Sequence, residues 1–171
     1  MTIYKQCSYF IAGIFSLLLS VSTSSALEPV KGDVVLQVSG NIAVTNTDDG
    51  KAVFDRAILM SLPATKIETE TPWTDGVVKF EGVLLRDLME LLKATGQSLK
   101  ATAINDYTVD IPVEDFLKYD VILAYKMNGN LMSVRDKGPL WVIYPWSDNP
   151  AIQTEIFHSR SIWQLNKISV K

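Results

Sequence analysis

Residues 73–96, WTDGVVKFEGVLLRDLMELLKATG, decide how the chain is read. Val77 to Phe80 is a short β-branched and aromatic run that predicts a strand ahead of Glu81-Gly82. From Leu84 to Thr95 the spacing changes. Leu84, Leu85, Leu88, Leu91 and Leu92 fall on one face of a helix, and Gly96 stands where a helix C-terminal glycine belongs. A strand running into an amphipathic helix leaves the fold class open until its neighbours are read.

Upstream, Thr65 to Thr74 is a Thr-rich extended stretch ending in Pro72-Trp73. Asp55 to Leu62 predicts a helix, with Asp55 as its cap and Pro63 as its stop. Asn46-Thr47-Asp48-Asp49-Gly50 is a turn by composition. Val34 to Val38 predicts a buried first strand closed by Gly40, after a flexible start from Leu27 to Asp33. Downstream, Ala101–Ile104 and Tyr107–Ile111 predict two strands around Asn105-Asp106. Pro112 opens a short helix, Val113 to Lys118, with two acids in its first turn. Asp120 to Lys126 predicts a strand, and Asn128-Gly129-Asn130 a hairpin turn. Lys137-Gly138-Pro139 is a further turn before an apolar strand, Leu140 to Tyr144. The tail from Ile162 to Val170 alternates as a half-exposed strand. Many short strands with a few interleaved helices argue for an α+β fold with mixed sheets, and against a doubly wound parallel sheet.

Residues 1–26 predict a secretory signal peptide. Lys5 supplies the positive start, an apolar run follows to Val21, and Ser24-Ser25-Ala26 offers the cleavage site. The rival is a retained anchor, for which the apolar run is short against the roughly 20 residues of a span. A lipoprotein is disfavoured because Cys7 precedes the apolar run. Cleavage after Ala26 would leave 171 − 26 = 145 residues, one domain over 27–171. With Lys5 removed the charge becomes 15 − 19 = −4, which gives no electrostatic footprint for nucleic acid. Cys7 is the single cysteine, so the exported form would have no disulfide and no thiolate. Its expected location is the periplasm.

No Gly-rich phosphate loop, no G-x-S-x-G elbow and no pair of histidines is present. His158 is the single histidine, more in keeping with a surface or hydrogen-bonding role than with catalysis. No acid pair stands out, so neither catalytic residues nor metal ligands are assigned. What the chain does have is aromatics beside polar groups in loops. Trp73 follows Pro72 and precedes Thr74-Asp75-Gly76, Tyr107 follows Asn105-Asp106, and Arg135-Asp136-Lys137 crowd the turn before Trp141. Such a mixture suits a planar, nitrogen-rich ligand, with rings stacking on its faces and a carboxylate or amide at its donor edge. The plain alternative is that the tryptophans are core and the charges a solvated rim.

The order of motifs resembles a known family. Trp73-x-x-Gly76-x-x-x-Phe80-x-Gly82-Val83-x-Leu85-x-Asp87-Leu88 is similar to the segment after the metal-binding loop of the sulfite-oxidase-type molybdopterin-binding domain. Asn105-Asp106-Tyr107 through Ile111-Pro112, Leu123-Ala124-Tyr125-Lys126-Met127-Asn128-Gly129, and Arg135-Asp136-Lys137-Gly138-Pro139-Leu140 resemble three later motifs of that family. The likeness runs from about Val34 to Val170. Enzymes of the family hold molybdenum through a cysteine that would fall near Thr69, and a hydroxyl does not replace a soft thiolate. The family's phosphate-gripping histidine and arginine appear here as Lys137 and Trp141, with one residue missing between Gly138 and Pro139. Losing that arginine removes a bidentate clamp.

The chain therefore looks more like the small periplasmic, metal-free proteins of this fold. Some of these bind a free reduced pterin and report it to an inner-membrane protein that makes or degrades cyclic di-GMP. Thr69 to Gly76 and Lys137 to Trp141 carry that likeness. It implies a non-enzymatic pterin sensor with no tightly bound cofactor and no molybdenum. Trp73, with Trp141 as a second face, would stack on the ring. Asp106 or Asn105 would pair with the amino-pyrimidine edge, and Tyr107, Arg135 and Lys137 would reach a carbonyl or a hydroxylated tail. Partners would be the pterin and the receptor's periplasmic domain, met in part by acids on the Val113–Lys118 helix. A molybdopterin oxidoreductase with an unusual ligand and a ligand-free interaction domain are the alternatives.

Overall fold

The computed structural model describes residues 27–171; the signal-peptide expectation lies outside the described residues. Two five-stranded sheets make the frame. The first joins β2 (Ala52–Asp55), β1 (Val34–Gly40), β10 (Leu165–Val170), β5 (Ser98–Ala103) and β6 (Thr108–Pro112), in that order. The second runs β3 (Ala64–Thr69), β4 (Val78–Leu84), β7 (Ile122–Met127), β8 (Asn130–Leu131), with β9 (Trp141–Ile143) also on β7. Every pair is antiparallel except β1 with β10. Helices α1 (Arg56–Ser61), α2 (Leu85–Leu91), α3 (Val113–Lys118) and α4 (Glu155–Arg160) are short. The fold is α+β, as the strand pattern predicts.

The centre of the second sheet, β7 with β9, is buried on both faces, and its side-chain alternation shows how. On β9 and its flanks, Leu140, Val142 and Tyr144 enter the larger core, while Trp141 and Ile143 enter a smaller one with Phe80, Ile67 and Met132. The neighbouring β7 splits likewise, Leu123 and Tyr125 to one side, Ile122 and Ala124 to the other. That is why Leu140 to Tyr144 reads as an unbroken apolar run. Opposite β4, the ladder skips Tyr125, pairing Lys126 with Glu81 and Ala124 with Gly82. At Gly82 a Cβ would lie 2.2 Å from the Leu123 carbonyl oxygen, so only glycine permits this approach.

Three expectations change. The central helix ends at Leu91, and the left-handed residue after it is Lys93 (φ 50°), not Gly96. Gly96 is needed for a different reason: a Cβ there would sit 2.3 Å from the Lys171 carbonyl oxygen. The acids of α3 are not both outward. Asp115 is buried, facing Tyr144 and Arg160. Finally, β2 and α4 are additional elements that residue patterning did not mark.

Asp55 caps α1 as the sequence implies. Its carboxylate accepts from the backbone N–H of Ile58 (2.8 Å), and also from Gly32 (2.9 Å) and Lys31 (3.1 Å). These donors, led by Ile58, hold its pKa below the ordinary 3.8. A depressed carboxylate contributes stability that is complete above the unfolded-state pKa and lost as pH falls through the folded one. Asp55→Asn should therefore lower the urea midpoint at about pH 6 and flatten its further fall below about pH 4. Parallel acid limbs in the two proteins would refute this.

Candidate functional site

The loop between β3 and β4 presents Trp73. Pro72 stiffens it, and the Thr71 hydroxyl, bonded to the Thr74 hydroxyl (2.8 Å), accepts from the Trp73 backbone N–H (3.2 Å). This local turn holds a half-buried indole against a nest of rings. Trp163 lies 5.4 Å away, His158 5.8 Å and Trp141 5.9 Å, all near edge-to-face. On the far side of His158, Trp146 packs at 5.0 Å.

Two cavities open on this nest. The first, about 420 Å³, is walled by Trp73, Trp163, Tyr107, Asn105, Glu155 and His158 among others. The second, about 530 Å³, is lined by Glu70, Thr71, Pro72, Trp146, Ser147, Gln153 and His158. His158 is the one residue common to both.

Three of the seven residues singled out from sequence meet at the first cavity: Trp73, Asn105 and Tyr107. The Asn105 side-chain oxygen accepts from the Tyr107 backbone N–H (3.2 Å), so its amide NH₂ is left to face outward partners. Asp106, between them, is exposed with φ 63° and lines neither cavity. Arg135 is exposed on the 3-10 turn Val134–Asp136 and also lines neither. Lys137 is half-buried with its ammonium 5.6 Å from the Trp141 ring centroid, a cation–π contact away from both cavities' walls.

Trp141 is fully buried. Its indole N–H donates to the Ser161 carbonyl (3.0 Å), and Phe80 packs edge-on at 5.4 Å. It supports Trp73 from beneath and offers no face to a ligand.

Sequence reasoning missed Glu155, His158 and Trp163. Glu155 and His158 ride on α4, six residues with no buried position to give it a helical period. The helix is held by the partly buried Phe157, packed on Tyr119 and Tyr144, and by charge. Arg160 donates to both oxygens of Asp115 (3.1 and 2.9 Å), and the Tyr144 hydroxyl donates to the same carboxylate (2.9 Å). Burial, then the Asp115 charge, push the Tyr144 pKa upward, so it remains a donor.

The corner where the resemblance puts a metal ligand is occupied by hydroxyls. Thr69 is fully buried; its oxygen accepts from the Ser147 backbone N–H (3.0 Å) and shares a bond with the Ser147 hydroxyl (3.2 Å). Among the described residues there is no cysteine, and no three His, Cys, Asp or Glu side chains gather as ligands. Such a donor set does not fit a thiolate-held molybdenum.

Two packed sheets with an aromatic cavity of small-molecule size make an α+β domain. The profile of the oxidoreductase molybdopterin binding domain matches residues 31–148, and the chain belongs to that family. No curated protein matches it. Among solved structures it is similar to the sulfane dehydrogenase SoxCD from Paracoccus pantotrophus, with a TM-score of 0.57 and 18% identity over 85% of this chain. The match spans 40% of the SoxCD chain, so the likeness is one of fold.

Proposed function

We propose that this chain is a non-enzymatic, periplasmic pterin-binding sensor that reports its ligand to an inner-membrane cyclic di-GMP signalling protein. The observation that carries the ligand is the first cavity: about 420 Å³, within the range of small-molecule sites, with indoles on its walls and polar groups at its mouth. Trp73 and Trp163 provide stacking faces. Glu155 takes the part first given to Asp106, its carboxylate accepting two parallel bonds from an amino-pyrimidine edge. The Asn105 amide supplies a donor to the ring carbonyl. The hydroxyl-filled corner at Thr69 supports binding of the pterin without metal. The receptor and the export through residues 1–26 rest on the resemblance and the signal-like leader. Reporting would work by ligand-dependent docking, the bound form favouring one surface state.

Pterin fluorescence quenching, with calorimetry for reduced tetrahydropterin, tests this directly. Both should bind saturably, and Trp73→Ala should weaken binding about tenfold or more, the scale of one lost aromatic–base stack, while the domain stays folded. Absence of binding by either form would sink the proposal. Near-stoichiometric molybdenum in the purified protein would turn it toward an enzyme.

A further inference from the structure

The rings around the first cavity meet at angles, and that geometry favours a rounded group over a flat one. Trp73 and Trp163 stand 5.4 Å apart with their planes at 67°, so they form a corner and leave no slot between them. Tyr107, 52% exposed, adds a third ring to the wall. A flat ring can lie on one of these faces; a compact rounded group in the corner meets more than one. The polar lining is equally selective. The Ser159 hydroxyl donates to the Ile156 carbonyl (2.7 Å) and the Ser161 hydroxyl to the Val142 carbonyl (2.6 Å), so neither turns its hydrogen to the cavity. The Glu155 carboxylate is on the wall and joins no ion pair among the described residues. No lysine or arginine lines the cavity. Arg160, between two lining residues, is bonded to Asp115, and Lys137 lies over Trp141.

We infer that the first cavity is an aromatic cage for a quaternary ammonium group, carried by a small free molecule such as choline. An ammonium is drawn to the negative face of an aromatic ring, most strongly to indole, and full methylation makes it rounded and removes donors that would need acceptors. The corner of Trp73 and Trp163, with Tyr107, supplies the faces, and Glu155 supplies the countercharge. The Asn105 oxygen accepts from the Tyr107 backbone N–H, so its NH₂ remains to meet a hydroxyl on the ligand's tail. Phospholipid headgroups carry the same ammonium with a phosphate a short chain away. Beside Glu155, and with no cation on the walls to clamp it, that phosphate counts against them. The inference goes beyond the pterin reading and does not rest on it; the two ligands use the same walls and exclude each other.

Titrations of the purified protein, followed by its indole N–H resonances, test this with choline, phosphocholine and 3,3-dimethylbutan-1-ol, the uncharged isostere of choline. Choline should bind about tenfold more tightly than the isostere, the scale of a partly desolvated cation–π contact, and more tightly than phosphocholine. Trp163→Leu keeps apolar bulk and removes a ring. It should cut the preference for choline to about threefold while leaving the isostere's affinity within about twofold. Glu155→Gln, a change at an exposed side chain, should weaken choline about threefold. Equal affinity for choline and its isostere would show a merely apolar pocket and overturn the cage. Phosphocholine binding as tightly as choline would assign the ammonium to lipid headgroups and overturn the free-ligand source. Pterin binding without choline binding would overturn this site alone; choline binding without pterin binding would remove the pterin reading and leave the cage standing.

Discussion

Trp141→Ala should cost about 3–5 kcal/mol of stability, the range for deleting a buried aromatic from a packed core. Trp141 is fully buried and is the largest side chain of the smaller core. Its removal opens a void between Phe80, Trp73 and Trp163, all of which meet it edge-on at 5.4 to 6.2 Å. It also orphans the Ser161 carbonyl. Lys137 loses the ring its ammonium covers. For a domain of this size the expected fall in Tm is roughly 10–15 °C. Trp141→Phe keeps much of the packing, loses the hydrogen bond, and should cost about 1–3 kcal/mol. Thermal and urea unfolding of the two variants provide the check. A stable Trp141→Ala protein with weakened pterin binding would show that Trp141 is a stacking face after all.

The contrast between Trp141 and Trp73 shows what the sequence could and could not convey. Trp141 sits inside Leu140–Tyr144, an unbroken apolar run, and such runs are buried on both sides. Trp73 follows a proline in a polar loop, and its half-exposure agrees with that setting. Local chemistry likewise carries the Asp55 cap and the Asn128-Gly129 turn, where both residues take left-handed angles (φ 49° and 81°). Other features had no local signal. The parallel pairing of β1 with β10 joins strands from opposite ends of the chain. Helix α4 is six residues long, and neither its existence nor the arrival of Glu155 and His158 beside Trp73 can be read from periodicity. Arg135 and Asp106 show the converse fault. Asp106 is exposed outside the cavity walls although Asn105 and Tyr107 reach the first cavity, and Arg135 lies on a turn none of whose residues lines either cavity.

α4 has no fully buried residue, so beside the packing of Phe157 its attachment should depend on one charged contact. Arg160 has a side chain 20% exposed and meets Asp115, whose side chain is 8% exposed, so the pair is substantially withdrawn from water. Arg160 also covers the Phe157 ring (5.3 Å), and Phe157 packs against Tyr144 and Tyr119. Removing only the arginine leaves a buried carboxylate with Tyr144 as its remaining partner, and breaking a buried pair in this way costs about 3–5 kcal/mol. Arg160→Met should therefore destabilise by about 3 kcal/mol, since the methionine keeps part of the cover over Phe157. The triple variant Asp115→Leu, Arg160→Met, Tyr144→Phe removes every polar member of the network together. It should recover most of the loss, because no uncompensated charge or hydroxyl remains. Urea unfolding of the single and triple variants measures the difference. A triple variant no more stable than Arg160→Met would show that shape at the α3–α4 contact, not charge, holds the helix that carries Glu155 and His158.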